Sequence, residues 1–336
     1  MMTASVTLPE LPAAARPLLD ELLGGQSLGA SRNIRQINDL LCIVAEQSQG
    51  RSGDDLRALL VRIGGYFIAT RGRNTPAIAN SIRLLLAGLE GLDAGSAADV
   101  RDALVRRRDE SNARSLARAE RMAEYGANLL SGATSILPFD YSSTMMAILK
   151  RLAERGERVR LIVPESRVLD GGRPIVREAI GWGHSATYIL DAAFAAFLPG
   201  VDAVLVGAET IQASGECWNT VGTYPLAVMA DHFHVPFYVA TELLKIDPLS
   251  FAGYRKPIQP HDCRALLRAE DFETQEAVST VQPELDSTPA RHITAYVTEE
   301  GVMPPGQIFA SARAFLERHG IQPESLSAAG DGGSNE

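Results

Sequence analysis

The sequence predicts an α/β protein in which an N-terminal helical domain is followed by a doubly wound, mostly parallel sheet. Three observations carry this. From residue 15 to about 126, nearly every segment places apolar residues three and four apart, the spacing of amphipathic helices. From residue 132 onward, short apolar runs alternate with helical patterns, as in a sheet built from crossover units. The runs VDAVLVGA and VPFYVA, moreover, have no polar face, which suits strands covered on both sides by helices.

In order, residues 1–14 read as a flexible start and 15–126 as the helical domain. Its helices are NIRQINDLLCIVAEQS, DDLRALLVRIGGYFIAT, PAIANSIRLLLAGLEGL and the long segment beginning AADVRDALVRRRDES. Glycine pairs and clusters at 24–25, 50–53 and 88–95 separate them as loops. Residues 127–325 read as the sheet domain, with strands TSILPF, RVRLIVP, SATYIL, VDAVLVGA, VPFYVA and ITAYVTEEG. Between them SSTMMAILKRLAERG, DAAFAAFLPG and TYPLAVMADHF have helical character. Residues 251–281 read as a long surface connection, and 326–336 as a disordered tail.

The chain has 336 residues, 46% hydrophobic and 22% charged, which is ordinary for a globular protein with a sizeable core. Its net charge of -9 argues against a nucleic-acid partner, because phosphate neutralisation along a nucleic acid needs a basic face. No apolar run reaches the roughly 18 residues of a membrane span. The three cysteines (Cys42, Cys217, Cys263) lack metal spacing, and His232 and His234 lie two apart, so no metal site is expected. Reduced thiols and the lack of a leader pattern point to the cytoplasm. No GxGxxG follows the first strand and no GxxxxGK[ST] occurs, so no cofactor is implied.

In a parallel sheet, ligands sit beyond the carboxyl ends of the strands. There the first strand runs into PFDYSST. Ser142, Ser143 and Thr144 form a helix start whose hydroxyls and free N–H groups suit a phosphate, although simple capping explains them equally well. Asp140, just before, is placed as a general base or a cap. The second strand ends in ESRVLDGGR, where Arg167 and Arg173 are candidate phosphate clamps beside the usual reading of solvated arginines. Arg71 and Arg73 of ATRGRNTPAI, and Arg32 of GASR after Gly29, add basic loops from the helical domain. Glu209 ends the fourth strand as Asp140 ends the first. If the two face each other, one pKa is raised and an acid/base pair results. Cys217 shares a polar loop with Glu209 and is a further candidate, though lone cysteines are usually inert.

The segments SGATSILPFDYSST, ESRVLDGGR, VGAETIQASGECWNTVGTYPLAVMA, VPFYVATELLKID and ITAYVTEEGVMPP, in this order, resemble a known family. It comprises the α/β/δ regulatory subunits of translation initiation factor 2B, methylthioribose-1-phosphate isomerase and ribose-1,5-bisphosphate isomerase. The resemblance spans about residues 29–308. It implies a helical domain, a Rossmann-like domain, a site between them at the strand ends, and a homodimer or higher homo-oligomer. It also implies that a catalytic Cys falls at Asp140 and a catalytic Asp at Glu209, so both are replaced. The family's Asn-Lys pair is Asn219 and Thr220 here, and a later lysine is kept as Lys245. The hydroxyl-rich phosphate loop matches Ser142, Ser143 and Thr144; an N-terminal Arg-Gly pair is reduced to Leu28 and Gly29, with Arg32 as the nearby substitute.

The expectation is a sugar-phosphate aldose–ketose isomerase acting on a deoxy- or thio-pentose 1-phosphate or related phosphosugar through the carboxylates Asp140 and Glu209. The alternative is a non-catalytic protein that senses a phosphosugar or nucleotide, as the regulatory subunits allow. Keeping an ionisable group at both replaced positions favours the enzyme. In either case the partner is a small phosphorylated sugar or nucleotide.

Overall fold

A computed structural model describes residues 7–24, 29–89, 92, 96–258, 260–263 and 277–322. Residues 1–6 of the expected flexible start, Leu28, and the expected tail at 326–336 lie outside these, as do 264–276 of the expected surface connection. The chain divides into two compact units. One comprises Met1–Arg118, Leu244–Ala252 and Arg313–Glu336, and the other Ala119–Leu243 with Gly253–Ala312.

In the first unit the four named helices form as α2 (Ala30–Glu46), α3 (Gly53–Phe67), α4 (Pro76–Ala87) and the start of α5 (Ala97–Leu129), preceded by α1 (Arg16–Leu23). Local chemistry sets their starts. The Ser52 hydroxyl accepts the Asp55 N–H at 3.1 Å to cap α3. Pro76 opens α4, where its missing N–H has no helical partner to lose. On α2, Ile37, Leu40, Leu41 and Val44 make one stripe, buried with Leu56, Leu60, Ile63 and Phe67 of α3 and Ile82 of α4. Each such side chain contributes about 1.5–3 kcal/mol of hydrophobic stabilisation. The stretch FIAT does not continue α3 regularly; it widens into a π-helical turn at Ile68–Gly72. The domain boundary expected at 126–127 falls inside α5, within which the two units divide after Arg118.

The second unit is built on a seven-stranded sheet. Its strands are β1 (Ser135–Phe139), β2 (Arg160–Pro164), β3 (Ser185–Ile189), β4 (Ala203–Val206), β7 (Phe237–Ala240), β11 (Ala295–Thr298) and β12 (Gly301–Met303). The order is β12-β11-β7-β4-β1-β2-β3, parallel throughout except for the β11–β12 pair. All six sequence-expected strands are present, and TEEG turns the sixth back as an antiparallel edge. Helices α6 (Ser143–Glu154), α7 (Gly172–Gly181) and α9 (Thr223–His232) connect strands; DAAFAAFLPG resolves into short turns around α8 (Phe194–Phe197). The core joins Met145, Ile148, Leu149 and Leu152 of α6 to Ile136, Leu161, Val163 and Leu205 of the sheet.

From β1 the chain proceeds to β2 and β3 on one side, then returns to β4 on the other. The order therefore reverses between β1 and β4, where doubly wound sheets leave a crevice at the carboxyl ends. Phe139 and Val206 are register partners, so Asp140 and Gly207 emerge side by side there. At the opposite, amino end, the Asp202 carboxylate accepts the N–H groups of Thr134 and Ser135 at 2.7 and 2.9 Å. These bonds hold its pKa below the usual carboxylate range.

Two smaller sheets were not legible as strands. β5 (Thr210–Ile211), β6 (Cys217–Thr220) and β10 (Leu285–Thr288) form an antiparallel sheet of order β10-β6-β5, where the sequence suggests a polar loop. β8 (Pro260–Asp262) pairs with β9 (Val281–Pro283), bridging the ends of the expected surface connection. Among the described residues, no helix is long and apolar enough to cross a membrane.

Candidate active site

Asp140 stands one residue beyond β1 with φ 58°, a left-handed conformation uncommon for any residue but glycine. The residue is 8% exposed. The Thr220 hydroxyl donates to Oδ2 at 2.6 Å and the Ser166 hydroxyl to Oδ1 at 3.0 Å. Burial pushes the Asp140 pKa above the ordinary carboxylate value. The two hydroxyls and the Tyr141 N–H pull it down, whereas the charge of Asp191 raises it further. The expected electrostatic partner was Glu209; the carboxylate that bears on Asp140 is Asp191 instead. Glu209 lies half-buried beyond β4 on the same rim, its N–H donating to the Trp218 carbonyl at 2.8 Å.

Thr220 reaches Asp140 because β6 is a strand. Alternate residues of a strand face opposite ways, so Thr220 and Trp218 share one face and Cys217 and Asn219 the other. Asn219 accordingly donates to the Thr223 hydroxyl at 3.1 Å, and that hydroxyl donates to the Thr220 carbonyl at 2.6 Å. Cys217 is fully buried, with its Sγ 3.9 Å from the Gly207 carbonyl oxygen, and therefore sits in the core of the small sheet rather than in an open loop. The Trp218 indole is buried as well. Its N–H donates to Glu216 at 3.1 Å, and Lys256 lies 5.7 Å from the ring centroid with Nζ 3.1 Å from the Thr210 hydroxyl.

Ser142 is the N-cap residue of α6, yet its hydroxyl makes no capping bond. Thr144 is buried in the first turn and Ser143 is exposed. The close pass of β4 requires glycine at 207, since a Cβ there would stand 2.5 Å from the Ser142 Cβ. The start of α9, by contrast, is already filled. Asp286 of β10 accepts the N–H of Gly222 at 2.7 Å and of Tyr224 at 3.0 Å. Gly222, at φ 108°, takes a turn that other residues adopt only with strain. Burial raises the Asp286 pKa to about 6, against the pull of those two N–H groups. Of these two helix starts, that of α6 is the one whose cap hydroxyl is uncommitted, so it suits an incoming anion.

Four of the five candidate arginines have local partners. Arg167 is exposed and 3.7 Å from Glu165, and Arg173 is exposed with Nε 3.2 Å from Asp170. In the helical unit, Arg71 donates to the Leu22 carbonyl and, at 3.3 Å, to Asn33, whereas Arg32 pairs with Glu21 at 2.5 Å. Arg73 is exposed after the π-helical turn, Gly29 precedes α2 at φ 88°, and Lys245 is half-buried in a short turn at Leu243–Lys245.

Sequence reading passed over Ser166 and Asp191. Ser166 stands directly before Arg167, which drew attention as a charge, and Asp191 closes β3 as Asp140 closes β1. The rule that singles out carboxylates at strand ends applies equally to Asp191. Among the described residues, no group of three or more His, Cys, Asp or Glu side chains is placed to hold a metal ion.

Known proteins bear on this arrangement. Over 327 residues the chain is 30% identical to a ribose 1,5-bisphosphate isomerase of Haloterrigena turkmenica, covering 95% of this chain and 98% of that protein. The structure superposes on 5-methylthioribose 1-phosphate isomerase of Pyrococcus horikoshii OT3 with a TM-score of 0.75 at 22% identity, covering 90% and 88% of the two chains. A translation initiation factor eIF-2B of the same organism gives 0.73 at 24% identity, covering 88% and 99%. At such identities the structural likeness speaks to fold. A sequence profile matches residues 26–305, and on that match the chain belongs to the initiation factor 2 subunit family.

Proposed function

We propose that this protein is an aldose–ketose isomerase acting on a pentose 1-phosphate or a related phosphosugar, with Asp140 as acid and Glu209 as base. The observation that carries the reading is the buried Asp140 carboxyl group, held by two hydroxyls beside the uncapped start of α6. Its raised pKa keeps a proton available nearer neutral pH, as a general acid requires. The relatives' names supply the substrate class: one is a ribose 1,5-bisphosphate isomerase, another a methylthioribose-1-phosphate isomerase.

The chemistry balances without a redox partner. Asp140 gives its proton to the ring oxygen as the bond from that oxygen to C1 breaks. Glu209 takes the proton from C2, and the C2–H electron pair forms the C1–C2 double bond of an enol phosphate. Delivery of a proton to C1 and loss of one from the C2 hydroxyl then leave the ketose 1-phosphate. Ser142, Ser143 and the N–H groups of α6 hold the phosphate throughout, and Arg167 is its clamp from the β2 loop.

Incubation with ribose 1,5-bisphosphate, 5-methylthioribose 1-phosphate and 5-deoxyribose 1-phosphate in D₂O, followed by NMR, tests the proposal. Ketose carrying deuterium at C1 is expected, with turnover lost in Asp140→Asn and Glu209→Gln. Absence of turnover on every substrate, together with a thermal shift on adding a phosphosugar or nucleoside monophosphate, would replace the enzyme by a sensor. Arg167→Ala should weaken phosphosugar binding; unchanged binding removes the clamp role. Self-association belongs to the same reading, and light scattering after gel filtration should return the mass of a dimer or a larger homo-oligomer.

A further inference from the structure

Three strands end in side chains that meet at Asp140. Ser166 follows β2 with φ 47°, so Asp140 and Ser166 are two non-glycine residues in left-handed conformations, joined through their side chains at 3.0 Å. Such conformations are unfavourable for residues that carry a Cβ and persist only where surrounding bonds enforce them. For Ser166 those bonds come from Asp191, beyond β3. One carboxylate oxygen accepts the Ser166 N–H at 2.8 Å, and the other accepts the Arg167 N–H at 3.0 Å. From the other side, Thr220 of β6 closes on Asp140 at 2.6 Å. Thr220 occupies the position where the family resemblance places a lysine, so the departures at 140 and 220 are in direct contact.

We infer that Ser166 and Thr220 are positioning residues for the Asp140 carboxyl group, and that Asp191 holds Ser166 in place for that task. The inference rests on the acid role given to Asp140 above. Both hydroxyls direct hydrogen toward the carboxylate, so they favour its charged form and offset part of the burial cost. Without them Asp140 would keep its proton to higher pH and lose its fixed orientation. Charged groups on the same rim are Asp191 beyond β3, Glu209 beyond β4, and Glu165, Arg167 and Asp170 in the loop after β2. Arg167 lies against Glu165, and Asp170 against Arg173.

The test reads Asp140 directly, in full-length protein labelled with ¹³C at aspartate side-chain carboxyls. The Asp140 signal is assigned by its loss in Asp140→Asn, and its chemical shift is followed against pH. Ser166→Ala and Thr220→Val should each move the Asp140 midpoint upward, whereas Thr220→Ser, which keeps the hydroxyl, should restore it. Asp191→Ala should speed hydrogen exchange at the Ser166 and Arg167 amides by tenfold or more. An unmoved midpoint in Ser166→Ala and Thr220→Val, or a downward one, overturns the assignment, and unchanged amide exchange removes Asp191 from it. If Ser166→Ala fails to fold, the Thr220→Val and Thr220→Ser pair still decides. Midpoints that move as stated in a protein without turnover count against the isomerase alone; unmoved midpoints in an active enzyme count against this inference alone.

Discussion

Gly171→Ala offers a sharp test of how closely Asp140 is fixed. Gly171 precedes α7 with φ -68°, an ordinary right-handed value, so alanine meets no backbone penalty there. The obstacle is contact: an added Cβ would stand 2.1 Å from Asp140 Oδ1 and 2.8 Å from the Tyr141 nitrogen. To reach ordinary contact at 3.4 Å from 2.1 Å, the carboxyl oxygen must retreat by at least about 1.3 Å. Overpacking of this kind costs about 1–3 kcal/mol, and a misplacement of about 1 Å costs on the order of a hundredfold in rate. Gly181→Ala is the control, because nothing lies within 4 Å of its added Cβ. There, alanine at the end of α7 should be neutral or stabilise by up to about 1 kcal/mol. Thermal melts and turnover assays on both variants give the comparison. If Gly171→Ala melts and turns over like Gly181→Ala, the close packing around Asp140 and the argument built on it are refuted.

The raised Asp140 pKa makes a linkage prediction. The native state binds a proton that the unfolded chain has released, so stability from this group is complete below the unfolded value of 3.8 and is lost as pH rises through the native one. Asp140→Asn should therefore melt higher than the wild type by a margin that grows as pH rises from 3.8 towards the native value; a margin independent of pH contradicts the assignment. In the helical unit, buried Asn80 donates to the carbonyls of Leu244 and Ile246, both at 2.9 Å. Asn80→Ala should destabilise by about 1–3 kcal/mol for each carbonyl left without its donor, and an unchanged urea midpoint would count against those bonds. Arg71→Ala should lower stability by about 1.5–3 kcal/mol through loss of its bonds to Leu22 and Asn33. Phosphosugar affinity should be untouched; weaker binding at unchanged stability would return Arg71 to the phosphate clamps.

Where a signal was periodic and local, reading the residues was enough. The stripe of α2, the unbroken apolar strands β4 and β7, and the Ser142–Thr144 helix start each depend on residues within one or two turns of one another. Short strands escaped that reading. CWNT carries no hydrophobic alternation, and β6 exists because β5 and β10 supply its hydrogen bonds, the latter from 65 residues along the register that pairs Leu285 with Thr220. The arginines' local partners were illegible for a related reason: a guanidinium in a loop gives no sign of whether it will close on Glu165, Asp170 or a carbonyl such as that of Leu22.

By itself the sequence determined the fold class and the strand ends at which to look, with Asp140 and Glu209 among the candidates there. These follow from periodicity and from motif order, both properties of the chain. Only the tertiary structure decided what Asp140 touches. Its partners come from the ends of β2 and from β6, and Ser166 is itself anchored by Asp191 beyond β3. Residues 26 to 80 positions apart reach one carboxyl group because the sheet order reverses between β1 and β4. Burial of that group, which raises its pKa, is likewise a property of packing and not of composition.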